Sequence, residues 1–201
     1  EMVDLMRTSV AQADSLLQNR MDLAQVEAGE PICLGLRVHD MKDVGERAIQ
    51  EQRILYQGHS HFSLKTPDNH CSANVDAGAI HRILQNLMSN AARYGDRSRG
   101  VRLILSQSED EVYIEVHNWG RALGPEERLR MNHLFMNHGK GSDKTEADAL
   151  ASFRSIKENG WGNGLSVVRH LAAAHGGKVE VESSESEGTT FRVFLLVNGP
   201  E

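Results

Sequence analysis

Residues Asn159-Gly160-Trp161-Gly162-Asn163-Gly164-Leu165-Ser166 set three glycines at alternate positions and then enter an apolar, helix-like run from Leu165 to His175. Glycine lets a backbone approach a ligand closely and take positive φ. A helix start adds free N–H groups and the positive end of a dipole. Together they form a cradle for phosphate oxygens. A second group lies upstream. Asn86 and Asn90 are four apart in a predicted helix, so their amides share one face. Arg93 and Tyr94 follow on the next turn. Ile80, Ile83, Leu84, Leu87 and Met88 make a separate apolar stripe, which lets the amide face border a sheet edge.

The elements that must position these groups can be read from periodicity. Asp76 is a good N-cap for a helix over 77–94. Val101 to Ser106 and Val112 to His117 alternate strongly around Glu109-Asp110, which predicts a hairpin. Segment 32–38 reads as a strand, and Asp40 to Tyr56 as a helix with Val44, Ala48 and Leu55 on one side. His61 to Leu64 and Cys71 to Val75 read as short strands separated by Thr66-Pro67-Asp68-Asn69. Short helices are predicted over 125–131 and 145–158. Gly176-Gly177 ends the helix after Gly164, and strands follow over 179–181 and 190–197. Residues 1–28 lack Pro and Gly and carry apolar residues at spacings of three and four. That is roughly 42 Å of amphipathic helix, which calls for a partner helix face. Gly29 and Pro31 end it. A long helix followed by mixed α and β with hairpins predicts a two-layer α/β sandwich, with helices on one face of a mixed, mainly antiparallel sheet.

Composition narrows the class. The 201 residues carry a net charge of −6, which argues against nucleic acid as a partner. Arg93, Arg97, Arg99 and Arg102 read as a solvated surface. Two cysteines, Cys33 and Cys71, without a CxxC pattern give no structural zinc site and suggest a reducing, cytoplasmic setting. No apolar run approaches the ~18 residues of a membrane span, so no direct membrane contact is expected of this segment. His59 and His61 are two apart, but no third metal ligand accompanies them.

Ile83-Leu84-Gln85-Asn86-Leu87-Met88-Ser89-Asn90-Ala91-Ala92-Arg93-Tyr94 resembles the N box of sensor histidine kinases. The glycine segment, continued through Leu165 to Gly177 and Gly188-Thr189-Thr190-Phe191, resembles their G2 box. Residues 16–29, ending Val26-Glu27-Ala28-Gly29, look like the second helix of that family's dimerisation and histidine phosphotransfer module. The resemblance implies two parts, residues 1–30 from that module and 31–201 as an ATP-binding domain of the Bergerat (GHKL) fold. It also implies ATP and Mg²⁺, with Asn90 as the Mg²⁺ ligand through its amide oxygen, Asn86 beside the phosphates, Arg93 neutralising phosphate charge and Tyr94 flanking the adenine. The implied catalytic set is Asn86, Asn90 and Arg93. The implied nucleotide site adds Tyr94, Asn118, Gly120, Gly160, Gly162, Asn163, Gly164, Leu165 and Thr190. Implied partners are a second copy through helix 1–28 and a response regulator receiver domain.

The family pattern is also departed from. Val116-His117-Asn118-Trp119-Gly120-Arg121-Ala122-Leu123 stands at the G1 box, with Asn118 where the family has the Asp that accepts from the adenine amino group. Such Asn variants resemble phytochrome-type kinases. An amide oxygen still accepts that bond, without charge. Ala122 replaces a second Gly, at a cost of about 1 kcal/mol or more if the backbone there takes φ > 0. Leu134-Phe135 resembles the F box, and 139–161 the ATP lid. Hydrolysing relatives carry a Glu where Asn86 stands, and an amide is no general base. Transfer to a supplied histidine nitrogen therefore fits better than hydrolysis. Residues 1–38 contain no His, so the acceptor histidine is expected on a helix not present in this chain, and the chain is not expected to phosphorylate itself. A second reading is a degenerate, non-catalytic docking or inhibitory module. A third is a hydrolysing ATPase, or a serine kinase of the anti-sigma type.

Overall fold

The computed structural model describes residues 32–56, 61–66, 71–136 and 162–200, together with helical positions Val10, Leu17, Met21 and Ala24. The sheet comprises β2 (Phe62–Lys65), β4 (Val101–Gln107), β5 (Glu111–Asn118), β6 (Lys178–Ser184) and β7 (Gly188–Leu196), in the order β2-β4-β5-β7-β6. All neighbours are antiparallel except β2 and β4. A separate antiparallel pair joins β1 (Arg37–Asp40) to β3 (Ser72–Val75). Helices α1 (Met41–Leu55), α2 (Ala77–Tyr94), α3 (Pro125–Met136) and α4 (Gly162–Ala174) complete the described elements. This is the mixed two-layer α/β arrangement that the sequence predicts.

Strand alternation builds the core. In β5, Val112, Ile114, Val116 and Asn118 are buried, while Tyr113, Glu115 and His117 between them are half-buried on the other face. Leu103, Leu105, Phe191, Val193 and Leu195 extend the inner face. Against it lie Ile80, Ile83, Leu84, Leu87 and Met88 of α2, all fully buried. At about 1.5–3 kcal/mol per side chain this stripe dominates the packing of α2. The opposite edge of that helix is left for polar groups.

Several boundaries differ from those read in the sequence, each for a local reason. Segment 32–36 is irregular because Gly35 N–H donates to Asp76 Oδ2 at 2.8 Å, so it is pinned to the α2 cap instead of to a strand. Strands β2 and β3 do not pair with one another. Val101 N–H donates to His61 O at 2.7 Å, which aligns β2 with β4. Helix α3 runs five residues past Met131, burying Leu134. Leu55 is half-buried in α1, where Met41, Ile49 and Gln52 supply the inner face instead.

Of the long amphipathic stretch 1–28, Val10, Leu17 and Met21 are helical and exposed. The rest of it lies outside the described residues, as does the predicted helix over 145–158. Among the described residues no helix is long and apolar enough to cross a membrane.

Candidate nucleotide-binding site

Helix α2 is held at both ends. At its start Asp76 Oδ1 accepts from Ala79 N–H at 2.9 Å, and Asp76 N–H donates to Nε2 of His175 at 3.1 Å. His175 is fully buried, with Nδ1 2.7 Å from Leu171 O. Since Nε2 accepts, Nδ1 carries the proton and the ring is neutral. Burial lowers the pKa of this imidazole, against the opposing pull of the Leu171 carbonyl and Asp76. Partial burial raises the Asp76 pKa, but the N–H groups of Ala79, Gly35 and Gly78 outweigh it and hold the carboxyl below its ordinary range. A neutral histidine thus ties the start of α2 to the end of α4.

At the other end of α2, Asp96 N–H donates to Trp119 O at 2.5 Å, drawing the loop after β5 against the helix. Gly120 in that loop has φ +154°, and a Cβ there would lie 3.1 Å from Tyr94 O. Ala122 needs no such conformation. Among the described residues no non-glycine residue has positive φ, so the backbone cost attached to Ala122 does not arise.

A cavity of about 110 Å³ opens between α2, this loop and the adjoining ends of β5 and β7, lined by Asn90, Tyr94, Asn118, Arg121, Leu123, Thr189 and Phe191. Asn118 pairs in register with Thr189 across the two strands. Asn118 Nδ2 donates to Trp119 O at 3.4 Å, a long contact. Thr189 Oγ1 lies 2.8 Å from Ser183 Oγ, which accepts from Leu123 N–H at 2.9 Å. Arg121 reaches both carboxylate oxygens of Glu127, at 2.8 and 3.0 Å. The Gly124 N–H, aided by Arg121, holds that carboxyl below its usual range. Phe135 supports Phe191 edge-on at 6.3 Å.

The amide pair reaches from this cavity to the glycine segment. Asn90 lines the cavity, and its Nδ2 is buried without a hydrogen-bond partner among the described residues. Asn86 is buried one turn earlier, and its Nδ2 donates to Arg82 O at 2.9 Å. A Cβ built on Gly164 would lie 2.6 Å from Asn86 Oδ1. The two distant motifs therefore meet. Helix α4 starts at Gly162, ahead of the Leu165 start that the sequence predicts, which places Gly162, Asn163 and Gly164 in its first turn. The first four N–H groups of a helix lack intrahelical partners, so this turn carries donors that a ligand can use. Leu165 is fully buried, which leaves only its backbone for a ligand. Gly160 lies outside the described residues.

Two expected residues stand elsewhere. Thr190 points to the opposite face of β7, where its Oγ1 is 2.9 Å from His117 Nδ1, and Thr189 lines the cavity instead. The period of two along a strand makes this a choice of one or the other. Arg93 is exposed, with its guanidinium 5.5 Å from the Tyr94 ring centroid, and does not line the cavity. Sequence reading missed Thr189, Arg121, Leu123 and Phe191. Thr189 sits directly across from Asn118 in the long-range pairing of β5 with β7, which no local sequence pattern signals.

The cavity lies well below the ~300–1,000 Å³ of drug-sized ligand pockets. It suits one apolar-sided ring with a polar edge. A model of the histidine kinase-, DNA gyrase B- and HSP90-like ATPase family matches residues 75–199. The chain belongs to this family. Within it, the sensor histidine kinase YcbM of Bacillus subtilis is 27% identical over 181 residues, covering 90% of this chain and 54% of the relative. The adaptive-response sensory kinase SasA of a Synechococcus strain is 26% identical over 201 residues, covering 98% and 49%. The chain thus spans about half the length of these relatives. Among solved structures, the Acinetobacter baumannii histidine kinase AdeS shares the fold at TM-score 0.66 and 19% identity, over 94% of this chain and 81% of that one. Full-length ShkA, solved in complex with AMPPNP, shares it at TM-score 0.68 and 20% identity, over 95% and 38%. The ATPase-family domain here is the ATP-binding catalytic domain of the two-component kinase type.

The residues fit Mg²⁺ carried by a nucleotide. Among the described residues no cluster of three His, Cys, Asp or Glu could hold a metal alone. Mg²⁺ bound with phosphates and water needs only one or two protein oxygens, and the amide of Asn90, which lines the cavity, carries an oxygen of that type.

Proposed function

We propose that this chain binds Mg-ATP between α2, the loop after β5 and the first turn of α4, and transfers the γ-phosphoryl group to a histidine outside residues 1–38. The observation that carries the reading is the meeting of Asn86 with Gly164, one turn of α2 from a cavity lined by Asn90, whose buried Nδ2 has no hydrogen-bond partner among the described residues. In this reading Tyr94, Leu123 and Phe191 flank the base, and Asn118 and Thr189 bond its edge. Asn90 supplies an oxygen to the magnesium, which offsets phosphate charge when bound. The start of α4 donates N–H groups to the phosphates. Asn86 is held by Arg82 O and cannot take a proton from water at neutral pH. The chain's contribution is position and charge, and the nucleophile comes from elsewhere.

The proposal extends to the whole protein's partners: a second copy joined through helix 1–28, where Val10, Leu17 and Met21 are exposed, and a receiver domain that takes the phosphoryl group from the histidine. The test supplies γ-labelled ATP and an added helical hairpin bearing the acceptor histidine. Acid-labile label on that histidine supports the reading. Nucleotide binding without transfer points to the regulatory module, and steady phosphate release by this chain alone points to a hydrolase.

A further inference from the structure

The two buried polar side chains at the adjoining ends of β5 and β7 are both ambivalent. Asn118 offers a carbonyl oxygen or an NH₂, depending on which way the amide turns. Among the described residues its side chain is restrained by the 3.4 Å contact from Nδ2 to Trp119 O, long for a hydrogen bond and cheap to exchange. Thr189 offers a hydroxyl that donates or accepts. Its neighbour Ser183 already accepts from Leu123 N–H, and either hydroxyl of the Ser183–Thr189 pair can be the donor at 2.8 Å. Reversing that one proton converts Thr189 from acceptor to donor toward the cavity.

No carboxylate lines the cavity among the described residues. Two nearby are engaged: Asp96, on the loop after α2, accepts from Ser98 N–H and Oγ at 2.9 and 2.7 Å, and Glu127, in the first turn of α3, accepts from Arg121 and Gly124. A carboxylate in the wall would accept from the exocyclic amino group of adenine and repel the O6 carbonyl of guanine. A neutral amide does neither to excess. Turned one way it accepts from adenine, and turned the other it donates to guanine.

We propose that this cavity accepts guanine as well as adenine nucleotides, with Asn118 as the residue that sets the tolerance. The inference rests on the nucleotide-binding reading above. It goes beyond it by naming which bases the site admits.

The test is displacement of a fluorescent ATP analogue from the whole chain by Mg-ATP and by Mg-GTP, in the wild type and in Asn118→Asp. The wild type is expected to hold the two within about tenfold of each other, because no bond to the base edge is fixed in direction. Asn118→Asp is expected to widen the preference for ATP by about tenfold or more. Wild-type exclusion of GTP by more than about a hundredfold while ATP binds would overturn the proposal and leave the nucleotide reading standing. An unchanged ratio in a folded Asn118→Asp would overturn the role of Asn118. Binding of neither nucleotide would overturn both readings. The wild-type ratio decides the base tolerance even where the variant fails to fold.

Discussion

Asn86 occupies the space that a side chain at position 164 would need: its Oδ1 lies 2.6 Å from where a Gly164 Cβ would fall. The glycine at the start of α4 is thus matched to an amide on α2, 78 residues earlier in the chain. Substituting Gly164→Ala gains about 0.8–1 kcal/mol of helix propensity and forces the Asn86 amide aside at a cost of about 1–3 kcal/mol. Net stability should change by less than about 2 kcal/mol, while Mg-ATP affinity falls about tenfold. In a double-mutant cycle with Asn86→Ala, the pair should couple by more than about 0.5 kcal/mol in urea unfolding. Additive effects would show that the two residues do not share the space.

Replacing Asn90 separates stability from binding. Its Nδ2 is buried and unpartnered among the described residues, and leaving such a group unmade costs about 1–3 kcal/mol. Asn90→Leu should therefore melt at the same temperature or higher than the wild type, and should lose the Mg-ATP response. A lower melting temperature would mean that Asn90 is bonded in solution and is structural.

Acid should loosen the link between α2 and α4. An unfolded histidine takes up a proton near pH ~6.5, whereas burial holds His175 neutral to a lower pH. The unfolded state therefore binds more protons below that value. The stability contributed by this group is complete above pH ~6.5 and declines as pH falls toward the lowered folded value. His117, lowered by burial and by Arg102, acts in the same direction. Asp76 contributes separately. Its folded pKa is depressed, so its share persists until pH drops below the unfolded carboxylate value of ~3.9. Urea midpoints measured from pH 8 to 5 should fall for the wild type and fall less steeply for His175→Gln. Equal slopes would remove His175 from the account.

The sequence was most legible where one physical pattern acted alone. Helix α2 follows from an Asp76 cap and an unbroken apolar stripe, and the β4–β5 hairpin from alternation around Glu109-Asp110. Long-range pairing was not legible. The parallel partnership of β2 with β4 depends on Val101 N–H meeting His61 O, which no local pattern encodes. In the site, Asn90, Tyr94 and Asn118 were found from spacing and resemblance, and all three line the cavity. Because β7 alternates faces, Thr189 lines the cavity and Thr190 meets His117 on the other face. Arg93 was assigned to phosphate from its place in the motif, yet it stands outside the cavity wall at the exposed end of α2. Arg121 went unassigned because its ion pair with Glu127 exists only once α3 is folded against the loop.

The most direct measurement is a Mg-ATP titration of the purified chain followed by thermal unfolding, with Asn90→Leu in parallel. Binding to the folded state alone raises the melting temperature with ligand concentration. The account predicts a saturating rise for the wild type with a Kd below about 1 mM, equivalent to about −4 kcal/mol, and no rise for Asn90→Leu. A wild-type melting temperature unmoved at several times that concentration, or an equal rise in both proteins, would contradict it.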